Sequence, residues 1–510
     1  MGVLVGIDIG THRSKAVACA PDGRVLARAA VPHGVFTPAA GHVEHDADAT
    51  WWADLVALTR RLAPGIRRAG GADAIAVTTC GPCLVPVDAA GRPLRPAILY
   101  GVDSRAAPQI AALEARHGRA AIERRSWSAL TSQSVGPKIA WIAEHEPDVH
   151  ARTAAYHTAT SYLVLRLTGV AAIDHHQGSY FAPFIDARRR AWDLRFADGL
   201  DLAGRLPPLR WPDEIAGGLT AAAARETGLA AGTPVLVGSS DGLAEAMAAG
   251  AAEPGVIAAT YGTTATLTAF HALTGRARGL WRTEGTGPDR TMVAGGMAAS
   301  GAVNAWFLRE LARELPQDDP EAIAGALRTL GAEAAAVPPG ARGLLMLPYL
   351  HGERTPIHDP AAAGVLAGLR AEHTRADVYR AVLESIAHGV RHLADTLGAA
   401  GVPLRVLRAT GGMTADPAWL RIVTDITGLP HEILAEPDGA PYGIARLAGA
   451  AIGLDVSDAG GWLRVRDVLT PDLAVHAADA TPYALYRRLH RDTRAVVHAL
   501  GRARTEGPDA

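Results

Sequence analysis

The chain has 510 residues, 48% of them hydrophobic and 20% charged, with a formal net charge of −2. That length exceeds one ordinary core and predicts two large domains, while the near-neutral charge offers no basic face for nucleic acid. Three cysteines are too few for a disulfide scaffold, no apolar run approaches the roughly 20 residues of a membrane helix, and the start lacks the regions of a signal peptide, so a cytoplasmic protein is expected.

Taken in order, the apolar runs 3–9, 14–20 and 24–30 are separated by the turns Gly10-Thr11-His12-Arg13 and Pro21-Asp22-Gly23, which predicts an antiparallel meander. Residues 48–61 read as a helix, 74–79 as a strand, 234–238 as another strand and 242–249 as a helix. A boundary is expected at 251–255, dividing the chain into domains 1–250 and 251–504 with a loose polar tail at 505–510. The second domain would open as the first does: strand 255–261, turn Gly262-Thr263-Thr264, strand 265–270. That repetition suggests a duplicated architecture. Farther on come a long helix at 375–394, a strand at 405–409 and a helix at 413–427.

Three places carry chemistry. A carboxylate ending a buried strand before a Gly-Thr turn, as in Asp8-Ile9-Gly10-Thr11, suits phosphate binding: the glycine lets backbone N–H groups approach phosphate oxygens, and Asp8 can hold Mg²⁺. No Gly-Lys-Ser/Thr and no Gly-x-Gly-x-x-Gly helix start is present, so a bound nucleotide would lie on hairpin turns. Asp241, in Gly238-Ser239-Ser240-Asp241-Gly242, follows a strand and starts a helix. It reads either as an N-cap or as a general base for a hydroxyl nucleophile. Gly411-Gly412-Met413 follows a strand and leaves room for a flat ring against backbone. Cys80-Gly81-Pro82-Cys83 spells a redox motif, but Leu84-Val85-Pro86-Val87 after it reads as a strand, and a redox thiolate needs a helix N-terminus.

These motifs, in this order, resemble those of the FGGY carbohydrate kinases of the actin/hexokinase superfamily. The resemblance runs along nearly the whole chain. It adds Gly41 to Asp46 with Trp51-Trp52, Lys138 to Trp141, Gly352 to Pro356, and the stretch 364–384. It implies an α/β fold of two actin-like (ribonuclease H-like) domains flanking a catalytic cleft, and an ATP-dependent kinase of a ketose or polyol. Xylulose is the leading candidate, with ribulose or erythritol as alternatives. Asp241 would be the catalytic base. Gly10, Thr11, His12, Arg13, Gly262, Thr263, Thr264, Gly411, Gly412 and Met413 would bind ATP, and Asp8 with Asp241 would hold Mg²⁺.

Substrate would meet Asp241, Pro82, Cys83, Asp103 and Arg105. Two departures from the family pattern fall in this sugar region: Pro82 stands where a histidine is usual, and Gly101 where a tryptophan is usual, which suggests a roomier pocket. A homodimer is compatible with the resemblance. The rival readings are an actin-like nucleotide-dependent binding protein and a redox protein using Cys80 and Cys83.

Overall fold

The computed structural model describes residues 2–197, 199–273, 279–435 and 439–505. Two seven-stranded sheets organise it. The first holds β1 (Val3–Ile9), β2 (Arg13–Cys19), β3 (Val25–Pro32), β4 (Ala72–Thr79), β5 (Ile215–Gly218), β6 (Pro234–Leu236) and β7 (Ser239–Ser240), in the order β5-β6-β4-β1-β2-β3, with β7 also on β4. The second holds β8 (Val256–Tyr261), β9 (Ala265–His271), β10 (Trp281–Gly287), β11 (Arg290–Met297), β12 (Val406–Thr410), β13 (His431–Leu434) and β14 (Val465–Leu469), in the order β10-β11-β9-β8-β12-β13-β14. In each sheet the first strand pairs antiparallel with the second across a Gly-Thr turn. Its other edge pairs in parallel with a later strand, β1 with β4 and β8 with β12. The expected duplication is present, and with it the two-domain α/β fold.

The helices include α1 (Ala53–Arg68), α2 (Asp241–Ala248), α3 (Gly301–Leu311), α4 (Arg375–Ala399), α5 (Pro417–Thr427), α6 (Ala440–Ala451) and α7 (Ala480–Thr505). Every residue of β1 is buried, because helices cover both faces of its sheet. Val3, Val5, Ile7 and Ile9 share a core with Leu55, Leu58, Leu62 and Ile66 of α1. Leu4 points to the other side, into a core shared with Leu243, Ala244 and Met247 of α2 and Ile444, Ala445 and Leu447 of α6. Period-two alternation therefore sends Asp8, an even position, to the face that carries α2.

Three helices differ from their sequence reading. The helix expected at 48–61 opens as a wide turn over Ala47–Trp52, capped by Asp46, and continues as α1 to Arg68 through Pro64. Its apolar stripe reaches Ile66, and burial of that stripe outweighs the bond lost at proline. The helix expected at 413–427 is broken: one 3₁₀ turn covers Gly412–Ala415, then Asp416 caps a new start by accepting from the N–H groups of Ala418 and Trp419. The long helix extends five residues past its expected end, to Ala399, from a capping box made by Thr374 and Asp377. At the chain's end α7 includes Thr505; the rest of the expected tail, 506–510, lies outside the described residues.

Helix α6 belongs to the second half by sequence yet packs on the first sheet beside α2. The approach is backbone on backbone. A Cβ at Gly443 would overlap the carbonyl oxygen of Ala244, and one at Gly6 would overlap the carbonyl oxygen of Pro441. Arg446 of α6 then donates to the carbonyl oxygens of Met247 (2.6 Å) and Val456 (2.7 Å). Gly443→Ala is expected to cost about 1–3 kcal/mol by overpacking this crossing. The loss should appear as a lower urea midpoint, and a variant as stable as the parent would show that the helices can part freely.

Candidate active site

Sheet pairing brings the first two chemical motifs together. Asp8 is in register with Thr78 of β4, and Ser240 of β7 with Thr79 of the same strand, so Asp8 and Asp241 leave the same end of the sheet. Between them the turn Gly10 to Arg13 closes through Gly10 N–H to the Arg13 carbonyl (3.2 Å), leaving His12 and Arg13 exposed. Two histidines brace this turn from behind. His33 bonds the Gly10 carbonyl at 3.0 Å and Asp54 at 2.7 Å; His45 bonds the Thr11 carbonyl at 3.1 Å and accepts from the Trp51 indole at 2.9 Å. Thr11 Oγ1 meets the Tyr100 hydroxyl at 3.0 Å.

Asp241 is the first residue of α2, with Ser240 in the cap position, so it is not the N-cap. The Gly242 N–H donates to its Oδ1 at 2.9 Å. One turn later Glu245 lies on the same side of α2. Burial raises the Asp241 carboxyl well above its usual range, and the charges of Glu245 and Asp8 raise it further. Asp8 is pushed up to about 7, first by burial and then by Glu245, against the opposing field of Lys15, its cross-strand partner. Glu245, exposed on α2, is raised too by the protein around its carboxyl. Lys15 is exposed, and its charge opposes the rise at Asp8 and at Glu245.

Oδ1 of Asp8 is buried and lacks any protein partner, as does Oγ1 of Thr78 alongside. An orphaned carboxylate oxygen suits a cation brought from outside. Among the described residues no three His, Cys, Asp or Glu side chains group closely enough to hold a metal ion alone. A Mg²⁺ ion here would therefore draw most of its ligands from water and phosphate, as that ion commonly does.

In the second half, two sequence motifs converge with the start of α3. The turn Gly262-Thr263-Thr264 closes through Gly262 N–H to the Thr264 carbonyl (2.9 Å). The start of α3 folds onto it, with Ser300 N–H on the Thr263 carbonyl and Gly301 N–H on the Gly262 carbonyl, both 2.9 Å. Met413 contacts Ser300 through sulfur at 3.1 Å. Gly411 has φ +95 and a Cβ there would overlap Tyr261 backbone, whereas Gly412 faces open space. The resulting ledge is flat, exposed backbone beside a helix start, a surface that can take a ring and phosphates. Ser300 and Gly301 were not singled out in the sequence, although Ala298-Ala299-Ser300-Gly301 has the small-residue character of the other turns.

The substrate side departs from expectation. Asp103 and Arg105 are turned inward and spend their hydrogen bonds on the protein. Arg105 pairs with Asp103 (2.7 Å) and Glu44 (2.7 Å) and lies over the Trp141 ring, while Asp103 also accepts from Val43 N–H (2.7 Å). They brace the 41–45 loop. Pro82 and Cys83 are likewise buried, and it is half-exposed Gly81 that sits between Ser240 and Gln177. The room expected at Gly101 is taken: the Gln133 side chain lies 2.8 Å from where a Cβ would stand. Lys138 is buried below and donates to the carbonyl oxygens of Leu99 (2.6 Å) and Tyr100 (2.9 Å); burial lowers it to about 8.

Cys80 and Cys83 are free and buried, their sulfurs 3.9 Å apart. The Cys83 hydrogen bond and burial push the Cys80 thiol well above its usual range, the opposite of a redox thiolate. A short strand, Val85–Val87, follows them and pairs with Ala155–His157, as the sequence suggested.

The acid cluster has a measurable cost. Folded Asp8 holds a proton up to about pH 7 that the unfolded chain releases near its ordinary value of 3.8, so stability falls as pH rises across that window. Asp8→Asn should stabilise the ligand-free protein at pH 8, on the order of 1–4 kcal/mol, and give no gain at pH 4. Paired denaturant titrations at the two pH values check this, and equal effects at both would contradict it.

Comparison with known proteins accounts for the arrangement. Residues 3–248 match the N-terminal domain model of the FGGY family of carbohydrate kinases, and residues 257–452 match its C-terminal domain model. The xylulose kinase of Bacillus subtilis (strain 168) is 27% identical over 456 residues, 89% of each chain. The glycerol kinase of Nocardia farcinica is 28% identical over 471 residues, 88% of this chain and 90% of that one. The crystal structure of xylulose kinase from Rhodospirillum rubrum superposes with a TM-score of 0.90 at 30% identity, across 97% of this chain and 100% of that chain. With two family models spanning both halves and a shared fold throughout, the chain belongs to the FGGY family of carbohydrate kinases.

Proposed function

We propose that this kinase transfers the γ-phosphoryl group of ATP to a hydroxyl of a ketose or polyol, with Asp241 as the base. The observation that carries the reading is the position of Asp241 at the start of α2, on the same sheet end as the Asp8 hairpin. A sugar hydroxyl is a poor nucleophile. A carboxylate at the rim of the first sheet can accept its proton while the phosphoryl group moves in line toward the oxygen. Burial and neighbouring acids raise the Asp241 carboxyl, which makes its conjugate base stronger than an ordinary aspartate.

ATP would lie on the ledge of Gly262 to Thr264, Ser300 and Gly411 to Met413, with its terminal phosphates facing the Gly10 to Arg13 turn. The N–H groups of that turn, held by His33 and His45, supply donors there. Asp8, with its unpartnered Oδ1, and Asp241 are the residues that would hold Mg²⁺. When bound, that ion would neutralise phosphate charge. Division of labour between residues 1–250 for sugar and 251–504 for ATP follows from the same placement. Approach of the two halves would exclude water that otherwise competes as acceptor.

Xylulose is the first substrate to test, because relatives over nearly the full length carry that name. Ribulose and four-carbon polyols are the next. Next to Ser240, the residue before Asp241, lie Gly81 and Gln177, and Gln133 fills the space beside Gly101. A pocket walled by such amides rejects sugars that lack the matching hydroxyl.

Asp241→Asn should lower kcat by about 10²–10⁴-fold while ATP affinity by calorimetry is retained. In the wild type, kcat should rise through an acid limb lying well above the ordinary aspartate range. Turnover of the variant within a few-fold of wild type on the best substrate of a ketose, aldose and polyol panel would defeat the assignment. A Cys80→Ser, Cys83→Ser double variant should remain a kinase under reducing conditions; loss of turnover with intact folding would reopen a chemical role for the thiols.

A further inference from the structure

A buried imidazole joins the two halves next to the base. His176 sits in the four-residue helix His175–Gly178 and is 1% exposed. Its Nδ1 lies 3.0 Å from the carbonyl oxygen of Glu284, in β10 of the second sheet, and its Nε2 lies 2.9 Å from Oγ of Ser240, the residue before Asp241. A carbonyl can only accept, so Nδ1 carries the proton and Nε2 accepts from the Ser240 hydroxyl. The ring is thus a neutral bridge with each nitrogen in a fixed role.

Neighbouring bonds hold the bridge rigid. The helix is capped by Asp174, whose carboxylate accepts from Gln177 N–H (3.0 Å), Gln177 Nε2 (2.7 Å) and Ser239 Oγ (2.8 Å). Both residues of β7 are therefore tied to this one helical turn. On the far side, Glu284 receives Arg190 Nε at 3.0 Å on its side chain, and its N–H donates to Ser179 Oγ at 3.1 Å. The first half's segment 174–190 grips Glu284 of β10 at three points, and His176 bonds both that residue and the turn bearing the base. Among the described residues the Asp241 carboxylate accepts from the N–H of its own turn, at Gly242, and from no side chain. Its placement rests on the backbone of Ser240.

We infer that His176 is a positioning residue that couples contact between the two halves to the orientation of Asp241. It touches neither phosphate nor sugar. When β10 lies against the 174–190 segment, the imidazole fixes Ser240 and thereby the entry of α2. When the halves part, Glu284 withdraws its carbonyl, the ring loses its anchor, and the base loses its register. Turnover would then be confined to the state in which the halves are in contact. This inference rests on Asp241 being the base.

Two replacements separate the ring's two bonds. His176→Asn keeps an amide N–H near Nδ1 for Glu284 and removes the acceptor for Ser240; His176→Gln keeps an amide oxygen near Nε2. His176→Asn, which drops Ser240, and His176→Gln, which drops Glu284, should each lower kcat by about 10–100-fold and leave KM for ATP and sugar within about twofold. Ser240→Ala should lower kcat similarly, and adding His176→Asn to it should cost little more. Wild-type kcat in both His176→Asn and Ser240→Ala would overturn the inference, as would full additivity of the two or a loss confined to KM. If His176→Asn does not fold, Ser240→Ala and His176→Gln decide it by the same criterion. A wild type inactive on every sugar and polyol would remove the kinase reading, and this inference with it. An active wild type with unaffected variants removes this inference alone.

Discussion

The structure depends on one close crossing. Helix α6 meets α2 at Gly443, where a side chain cannot be fitted against the Ala244 backbone, and meets β1 at Gly6 in the same way. A helix from late in the chain thereby becomes part of the first domain's core. The two halves are joined by a shared layer rather than by a linker. Motion between them must turn about that layer, since packed backbone resists separation more than it resists rotation. Helix α2 lies inside the layer, and its first residue is Asp241.

That placement explains why the site can tolerate its own electrostatics. Three carboxylates, Asp8, Asp241 and Glu245, share one end of a sheet, with Lys15 opposing the charge of Asp8 and Glu245. Alone this is unfavourable, and the raised carboxyls record it. A fold that relied on local bonds to hold these groups would relax them apart. Here the register of β1, β4 and β7 sets Asp8 and the entry to α2, and the α2–α6 crossing holds the body of that helix, so the acids cannot drift far apart without disturbing a core. The resulting negative pocket with an orphaned Asp8 oxygen is complementary to a cation–nucleotide complex.

Much of this was legible in the sequence, because the decisive features are local. Both opening hairpins were read from short apolar runs and Gly-Thr turns, and the break after Cys83 excluded a redox helix. Features that depend on distant partners were not legible. Asp103 and Arg105 look like sugar ligands until Glu44 and Val43, some sixty positions earlier, are seen to absorb them. Gly101 looks like empty space until Gln133 is seen to fill it. Glu245 could have been found, since four residues after Asp241 on a helix is the same face. His176 could not, because the group it meets on the second half is a backbone carbonyl, which no residue type advertises.

The scarcity of lysine has a practical consequence. Lys138 is sealed in the core with its amine on two carbonyls, and Lys15 stands exposed on β2, the strand that returns from the Gly10 to Arg13 turn. Every other cationic side chain besides histidine is arginine, which amine-selective reagents leave alone. Acylating agents would therefore report on one side chain, apart from the chain's α-amine, and that side chain neighbours Asp8. Attachment of this protein to a surface or a dye by ordinary amine coupling would select the mouth of the cleft, so thiol-free, carboxyl-free tethering through an added tag is the gentler choice for any binding measurement.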